Sequence, residues 1–258
     1  MKTVILAGGL GTRISEETSV KPKPMILIGG KPILWHIMKL YSHYGLNDFV
    51  ICLGYKGYAV KEYFINYYNH MSDLTVDLEN DSVKIHNNYS EPWRVTLINT
   101  GEATMTGGRL KRIEDYLQGE ENFCMTYGDG LSNVDIPKLI SFHENHGKVA
   151  TLTAVQPAGR YGSLEIDGNT VKKFQEKPKG DGGYVNGGFF VLSKDAFNFI
   201  EDDNQAVFEQ EPLKRLAQEN QLEAYQHHGF WHSIDTLRDK KNAETMWQEK
   251  TAPWKVWK

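Results

Sequence analysis

The chain has 258 residues, of which 40% are hydrophobic and 24% are charged, and its formal net charge is -4 at pH 7. These values are typical of a globular protein with one well-buried core, and the acidic balance argues against nucleic-acid binding. No apolar stretch approaches the roughly 20 residues that span a bilayer, and the N-terminus has no signal-peptide pattern. The two cysteines, Cys52 and Cys124, lie in apolar segments, which favours buried reduced thiols over a disulfide or a metal site. We therefore expect a cytoplasmic protein that does not bind a membrane.

Strand-like and helix-like segments alternate along the first half of the chain. An apolar run over residues 2–7 predicts a buried strand that leads into a glycine-rich loop. A helix is expected from Pro32 to Gly45, because apolar residues fall at helical spacing and glycine favours a left-handed cap. A strand, two helices and another strand are predicted next, over 49–53, 60–68, 110–117 and 123–127. The alternation predicts a mostly parallel sheet between two helical layers, with a ligand site beyond the carboxyl ends of the strands.

Two regions interrupt this alternation. Residues 73–100 are expected to form short strands with no helix between them, as a β-rich excursion. Further on, two short apolar runs flank Asp167-Gly168-Asn169, which predicts a hairpin of 164–166 with 171–174. The sheet is therefore expected to be mixed at its edge.

The loop after the first strand, Gly8-Gly9-Leu10-Gly11-Thr12-Arg13, is a candidate phosphate site, because glycines let backbone N–H groups surround an anion. It lacks the third glycine of the dinucleotide fingerprint, and Gly30-Lys31 is followed by Pro32 instead of the hydroxyl residue of a P-loop. The alternative is a surface turn with solvated charges. The arginine that ends the loop, together with Lys23 between two prolines, favours the phosphate site.

At these residues the chain resembles the sugar nucleotidyltransferase family, whose signature is a glycine-rich loop followed by a lysine. The resemblance covers nearly the whole chain, through residues 29–32, Tyr127-Gly128-Asp129, Glu176-Lys177-Pro178 and 186–189. It implies an α/β, Rossmann-like three-layer nucleotide-diphospho-sugar transferase fold, formed as a single nucleotidylyltransferase catalytic domain over residues 1–258. One departure is Ser15-Glu16-Glu17-Thr18, where many members carry a proline.

Further segments resemble the branch that uses CTP and glucose 1-phosphate: Glu91-Pro92-Trp93, Val95-Thr96-Leu97, Asn99-Thr100-Gly101, residues 105–110 and Ala252-Pro253-Trp254-Lys255. The resemblance implies synthesis of CDP-glucose with release of pyrophosphate, for dideoxysugar, O-antigen and lipopolysaccharide biosynthesis. The alternatives are the same chemistry with UTP or dTTP, and a catalytically inactive subunit that senses nucleotide sugars. For Trp93, Val95 and Leu97 alone, the alternative is the core of an edge strand. The resemblance also implies a homo-oligomer, with a hexamer expected in this branch.

The implied reaction requires cations more than a nucleophile, because a sugar phosphate is already mostly dianionic at pH 7. Arg13 and Lys23 are expected as the catalytic cations on the triphosphate and the reacting phosphoryl oxygens. The resemblance implies a set of nucleotide-binding residues: Leu6, Ala7, Gly8, Gly9, Leu10, Gly11, Thr12, Arg13, Lys23, Thr104, Arg109 and Gly128. It implies that the sugar phosphate binds to Glu176, Lys177, Asn186, Gly187 and Gly188. The alternatives are a solvated Arg109 on the first turn of the 110–117 helix and a simple β-bulge at Gly187-Gly188.

Asp129 and Asp235 are candidate ligands of Mg²⁺. Asp129 follows the predicted strand 123–127, and Asp235 follows the strand-like run 230–234. Both carboxylates are therefore expected at the carboxyl edge of the sheet. Their oxygens are hard ligands that suit Mg²⁺ together with phosphate oxygens and water. The alternatives are an ordinary turn residue for Asp129 and a helix N-cap for Asp235.

Overall fold

The computed structural model describes residues 1–157, 163–167, 169–175 and 183–258. The strands, in chain order, are β1 (Thr3–Leu6), β2 (Leu27–Ile28), β3 (Lys31–Pro32), β4 (Asp48–Leu53), β5 (Ser72–Asp77), β6 (Ser82–Asn88), β7 (Arg94–Asn99), β8 (Asn122–Tyr127), β9 (Gly130–Ser132), β10 (Ala150–Val155), β11 (Ser163–Asp167), β12 (Thr170–Gln175), β13 (Val185–Ser193), β14 (Leu222–His227) and β15 (Trp231–Ser233). The α-helices are α1 (Ser15–Thr18), α2 (Ile33–His43), α3 (Gly57–His70), α4 (Thr106–Lys111), α5 (Ile136–His146), α6 (Glu211–Gln218) and α7 (Leu237–Gln248). Short 3₁₀ helices lie at Thr12–Ile14, Lys23–Met25, Glu114–Leu117 and Lys194–Phe199.

Seven strands form the main sheet, in the order β14-β10-β13-β8-β1-β4-β7. Neighbouring strands are parallel except at β13, which runs antiparallel to both β8 and β10. A mixed sheet was predicted correctly, but the antiparallel strand lies inside the sheet and not at its edge. The reason is that, between β10 and β13, the described residues form the β11–β12 hairpin and no helix, and such a connection suits antiparallel neighbours.

The sheet is covered by helices on both faces. Ile5 and Ile51, on adjacent strands, are buried in a cluster with residues of α2, α3, α5 and α7. Val4 and Val50, one position earlier on the same strands, are buried on the opposite face with residues of α4 and α6. Apolar residues at successive positions are what a parallel strand covered on both faces requires. This is the three-layer α/β architecture that the sequence predicts.

The helix predicted after Pro32 is α2, and its end has the expected cap. Gly45 has a φ of +85°, in the left-handed region. Its N–H donates to the carbonyl of Ser42, and the N–H of Leu46 donates to the carbonyl of Tyr41. These two bonds form a Schellman motif, so the prediction from local spacing and glycine placement is confirmed.

The single helix predicted over 110–117 is wrong. The chain forms α4 at an earlier position and a separate 3₁₀ helix at Glu114–Leu117. The sequence did not predict the start of α4, because this start contains Gly107 and Gly108 and glycine is a poor helix former. In the structure, the N–H groups of both glycines donate to the carbonyl of Ala206, so a distant segment satisfies the start of this helix.

The region predicted as β-rich, residues 73–100, contains a hairpin and one strand of the main sheet. β5 pairs antiparallel with β6, whereas β7 pairs parallel with β4 at the edge of the sheet. Trp93, Val95 and Leu97 are partly buried against the core, so these side chains do have the core role given as their alternative. The other predicted hairpin is also present, as β11 paired with β12.

Cys52 and Cys124 are free and buried, as predicted. Burial raises the pKa of each thiol to about 12, which keeps both protonated and unreactive near neutral pH. Among the described residues, no helix has both the length and the apolar character needed to cross a membrane.

Candidate active site

A cavity of about 530 Å³ opens beyond the carboxyl ends of β1 and β8, at the edge of the sheet where the ligand site was expected. The predicted site residues that line it are Leu6, Ala7, Gly8, Gly9, Gly11, Thr12, Arg13, Lys23, Thr104, Arg109, Gly128, Asp129, Asn186, Gly187, Gly188 and Asp235. Leu10 is exposed and is not part of this lining. Glu176 and Lys177 lie outside the residues that the structure describes.

Two glycines of the 8–13 loop are required by its geometry. Gly11 has a φ of +65°, which is unfavourable for a residue with a side chain. A Cβ on Gly8 would lie 2.2 Å from Nη1 of Arg109, so only glycine lets the backbone approach the guanidinium this closely. The Thr18 hydroxyl donates to the carbonyl of Gly11 at 3.1 Å. The loop is therefore held from both sides, with its cavity face open.

A small antiparallel ribbon, β9 with β15, brings Asp129 and Asp235 together. Asp129 lies in the turn just before β9, and Asp235 follows β15 closely, with the N–H of Ile234 donating to the carbonyl of Asp129. The ammonium group of Lys23 lies between the two carboxylates, at 2.6 Å from Oδ2 of Asp129 and 2.7 Å from Oδ1 of Asp235. Arg13 contacts the other oxygen of Asp235 at 3.0 Å. Both predicted cations and both predicted carboxylates therefore form one cluster.

The structure decides between the alternatives for these aspartates. Asp235 is not a helix N-cap, because Thr236 caps α7 and forms a capping box with Asp239. Asp129 is in a turn, but its carboxylate is paired with Lys23. Burial alone would raise the pKa of Asp235, yet the hydrogen bond and charge of Lys23, with the charge of Arg13, hold that pKa below its usual value. Asp235 therefore stays ionised at neutral pH.

Arg109 is almost completely buried, with 4% of its surface exposed, so the solvated alternative is wrong. Its guanidinium donates to the carbonyls of Gly8, Leu53, Gly101 and Glu102 and to the hydroxyl of Thr100. These groups belong to the glycine-rich loop, the end of β4 and the segment after β7. Arg109 therefore lies behind the glycine-rich loop and fixes it to the neighbouring parts of the cavity wall.

Arg109→Met is expected to lower the free energy of unfolding by about 2–4 kcal/mol, because several buried acceptors lose their donor at once. Urea unfolding followed by circular dichroism would measure the change. Arg94→Met is the matched control, since the Arg94 side chain is 81% exposed on β7. Equal stability of the two variants would contradict the bridging role of Arg109.

The 186–188 segment is a bulge in β13. The pairing of β10 with β13 shifts register between Leu152 and Ala154, and Gly188 has a φ of +76°. A Cβ on Gly187 would lie 2.8 Å from Val155, so these glycines have a packing reason as well. The bulge alternative therefore describes the backbone correctly, and contact of the same residues with a sugar stays a prediction.

Sequence reasoning missed Glu209, which lies in the turn before α6. Its carboxylate accepts hydrogen bonds from the hydroxyls of Thr106 and Tyr127, two residues that line the cavity. Glu209 is distant from both in sequence and belongs to no motif. No local signal could have placed it at the site.

An α/β sheet that carries a glycine-rich loop, two cations and two carboxylates at its carboxyl edge is suited to binding and transferring phosphate groups. The chain belongs to the nucleotidyl transferase family, whose family model matches residues 2–248. It is 57% identical to the glucose-1-phosphate cytidylyltransferase of Salmonella typhi, over 100% of both chains. It is also 46% identical to the probable glucose-1-phosphate cytidylyltransferase of Bacillus subtilis, again over 100% of both chains.

The fold is similar to that of HddC from Yersinia pseudotuberculosis in its crystal structure. The TM-score is 0.68 at 26% sequence identity, over 95% of this chain and 99% of that chain. The predicted fold class is confirmed, and so is the resemblance to the family and to its cytidylyltransferase branch.

Proposed function

We propose that this chain transfers the cytidylyl group of CTP to glucose 1-phosphate, which yields CDP-glucose and pyrophosphate. The observation that carries the proposal is the cluster of Lys23, Asp129 and Asp235 beside the glycine-rich loop, in a chain similar over its full length to glucose-1-phosphate cytidylyltransferases. The same cavity is lined by Arg13 and by the 186–188 bulge. It therefore offers groups for both substrates at one edge of the sheet.

In this reaction an oxygen of the sugar phosphate attacks the α-phosphorus of CTP. The new oxygen–phosphorus bond forms as the bond from the α-phosphorus to the oxygen shared with the β-phosphate breaks, and pyrophosphate leaves with that electron pair. The attacking phosphate is mostly dianionic at pH 7, because its second pKa is about 6, so no side chain has to remove a proton. The catalytic task is to bring two anions together and to stabilise charge on the transferring and leaving groups.

Arg13 and Lys23 supply positive charge for this task. The Arg13 side chain is 71% exposed, so it can turn towards the triphosphate at little cost in packing. Lys23 is buried deeper in the cavity, where fewer water molecules screen its charge. The backbone N–H groups of the glycine-rich loop add neutral donors to the phosphate oxygens.

Asp129 and Asp235 fit a Mg²⁺ ion. Their oxygens converge on one ammonium group at 2.6 and 2.7 Å, so the two carboxylates already flank a single positive charge. Hard carboxylate oxygens are the ligands that Mg²⁺ prefers in proteins, with phosphate oxygens and water completing the set. When bound, the ion supplies further neutralisation of the phosphate charge. The part played by the chain is to hold both carboxylates together through the β9–β15 ribbon.

For the second substrate, we assign the hexose to Asn186, Gly187 and Gly188. Glu176 and Lys177 are assigned to the sugar phosphate, on the basis of the family motif alone. The first three residues line the same cavity as the phosphate cluster, which supports placing both substrates there.

We expect a preference for CTP over UTP of at least about a hundredfold in kcat/KM, equivalent to about 2.7 kcal/mol. Cytosine carries an amino donor where uracil and thymine carry a carbonyl acceptor. Backbone carbonyls of the cavity wall that accept from this amino group would be left unpaired by UTP.

The measurement is pyrophosphate release from the protein with Mg²⁺, glucose 1-phosphate and each of CTP, UTP, dTTP, ATP and GTP. Comparable rates with CTP, UTP and dTTP would contradict the cytidylyl assignment and leave nucleotidyl transfer intact. No release with any nucleotide would contradict both.

We also assign the chain to a homo-oligomer, with a hexamer as the expected assembly. A second cavity of about 310 Å³ beside the edge strand β7 is lined by aromatic and aliphatic side chains of α3, including the exposed Ile65 and Tyr68. Exposed apolar side chains of this kind are common where protein surfaces associate. CDP-glucose made by this enzyme would serve dideoxysugar and O-antigen synthesis.

A further inference from the structure

Glu209 joins two walls of the cavity from behind. Its Oε2 accepts a hydrogen bond from the Thr106 hydroxyl, and its Oε1 accepts one from the Tyr127 hydroxyl, each at 2.5 Å. Thr106 begins α4 and Tyr127 ends β8, so the carboxylate fixes two elements that contribute side chains to the same cavity.

The bond to Glu209 also fixes what the Tyr127 hydroxyl can do on its other side. A hydroxyl has one proton, so an oxygen that donates to Glu209 can only accept from a further partner. The Tyr127 oxygen therefore presents an acceptor to the cavity side.

The neighbouring Asn186 donates a hydrogen bond to this acceptor. Its Nδ2 donates to the Tyr127 oxygen at 3.4 Å, and its Oδ1 accepts from the N–H of Gly188 at 2.9 Å. The two contacts agree on the orientation of the amide and leave the second N–H of Nδ2 for another partner. Asn186 lines the cavity, so this donor is available to an oxygen of a ligand.

The ring of Tyr127 is held as tightly as its hydroxyl. A Cβ on Gly188 would lie 2.5 Å from Cδ2 of Tyr127, so the ring lies directly against the bulge of β13. The rings of Tyr127 and Phe190 also pack edge to face, with an angle of 89° between their planes. Both the position of the Tyr127 ring and the direction of the hydrogen bond from its hydroxyl are thus fixed before a ligand binds.

We propose that Glu209 is a positioning residue for the hexose of the sugar phosphate, acting through Tyr127 and Asn186. The carboxylate orients the Tyr127 hydroxyl, which orients the Asn186 amide, so that the wall offers a defined donor and acceptor to hexose hydroxyls. Because the bonds that run from Glu209 through Tyr127 end at Asn186, which is assigned to the hexose, loss of Glu209 should weaken binding of the hexose more than binding of the cytidine nucleotide. The inference rests on the proposed function, because it takes glucose 1-phosphate as the second substrate.

The test compares the dissociation constants of CDP-glucose and CDP by isothermal titration calorimetry. In Glu209→Gln the amide can accept from one hydroxyl but must offer a donor to the other, so the direction of the bonds is lost. CDP-glucose is expected to bind about tenfold more weakly, a loss of about 1.4 kcal/mol, while the affinity for CDP stays within about twofold. Glu211→Gln, an exposed residue at the start of α6, is the matched control and should change neither affinity.

Tyr127→Phe gives a second and independent variant, because it removes the hydroxyl and keeps the ring. Like Glu209→Gln, it should weaken the binding of CDP-glucose and leave the affinity for CDP nearly unchanged. In the double variant with Glu209→Gln, the second change should add less than about twofold, because both single changes break the same chain of bonds.

Equal weakening of CDP and CDP-glucose would place Glu209 on the nucleotide side and overturn the proposal, as would unchanged CDP-glucose binding in both single variants. Circular dichroism and the melting temperature check that each variant is folded. If the wild-type protein releases pyrophosphate with UTP and not with CTP, the proposed nucleotide is wrong. The same comparison with UDP-glucose and UDP would then still decide the role of Glu209.

Discussion

Asp129→Asn is expected to lower kcat by at least about a hundredfold while the fold survives, because the change is nearly isosteric and removes one charge from the phosphate site. The carboxylate is half of the pair that flanks the ammonium of Lys23, at 2.6 Å from it. Without it, the site holds less negative charge for Mg²⁺, and the ion that accompanies the triphosphate is bound less well. Pyrophosphate release at saturating CTP and glucose 1-phosphate, with Mg²⁺ varied, would measure the effect.

Asp202→Asn provides the control for this variant, since Asp202 is exposed and does not line the cavity. It should keep the turnover of the wild-type protein. Near-normal turnover of Asp129→Asn at every Mg²⁺ concentration, low ones included, would remove Asp129 from the site. A large loss that high Mg²⁺ partly restores would identify weaker metal binding as its cause.

Elements with a local signal could be predicted from the sequence. The first strand and α2 were found because apolar spacing and Gly45 act over a few residues. The start of α4 was missed because Gly107 and Gly108 are weak helix formers, and the carbonyl that satisfies their N–H groups belongs to Ala206. The interior position of β13 depends on the connection from β10, which strand propensity does not describe.

The candidate site shows the same division between local and distant causes. The positions of Asp129 and Asp235 after strand-like runs predicted that both lie at one edge of the sheet. That both contact Lys23 depends on the pairing of β9 with β15, which brings the two carboxylates together. The burial of Arg109 has a similar origin, because its acceptors come from three separate segments of the chain. Motif resemblance could identify such residues without revealing what holds them.

Arg109 and Lys23 both line this cavity, but we expect their contacts to change to different extents during the reaction. Arg109 is committed to acceptors of its own chain, so its contribution is the shape of the glycine-rich loop. Among the described residues, the ammonium of Lys23 contacts only the carboxylates of Asp129 and Asp235, so it can exchange these partners for phosphate oxygens as charge develops. Variants of Arg109 should therefore affect stability first, and variants of Lys23 should affect turnover first.

Lys23→Met is accordingly expected to lower both kcat and kcat/KM by at least about a hundredfold, because the lost cation stabilises the transition state more than the bound substrates. Methionine keeps an unbranched apolar side chain in this buried position, where 8% of the lysine surface is exposed, so packing is largely retained. A second effect follows from the two carboxylates. Once their shared ammonium is gone, they repel each other, and a divalent ion relieves that repulsion. The variant should therefore bind Mn²⁺ more tightly than the wild-type protein in the absence of nucleotide.

Steady-state kinetics with each substrate varied, and titration of Mn²⁺ followed by electron paramagnetic resonance, measure these two effects separately. Lys21→Met is the control, because Lys21 lies two positions earlier, pairs with Glu17 and does not line the cavity. If Lys23→Met raised only the KM for CTP, Lys23 would be a uniform binding contact and not a catalytic cation. If Mn²⁺ bound no more tightly to Lys23→Met than to the wild-type protein, the ammonium would not be competing with the metal for Asp129 and Asp235. The two readouts together distinguish a lysine that serves the transferring phosphate from one that only neutralises the aspartates.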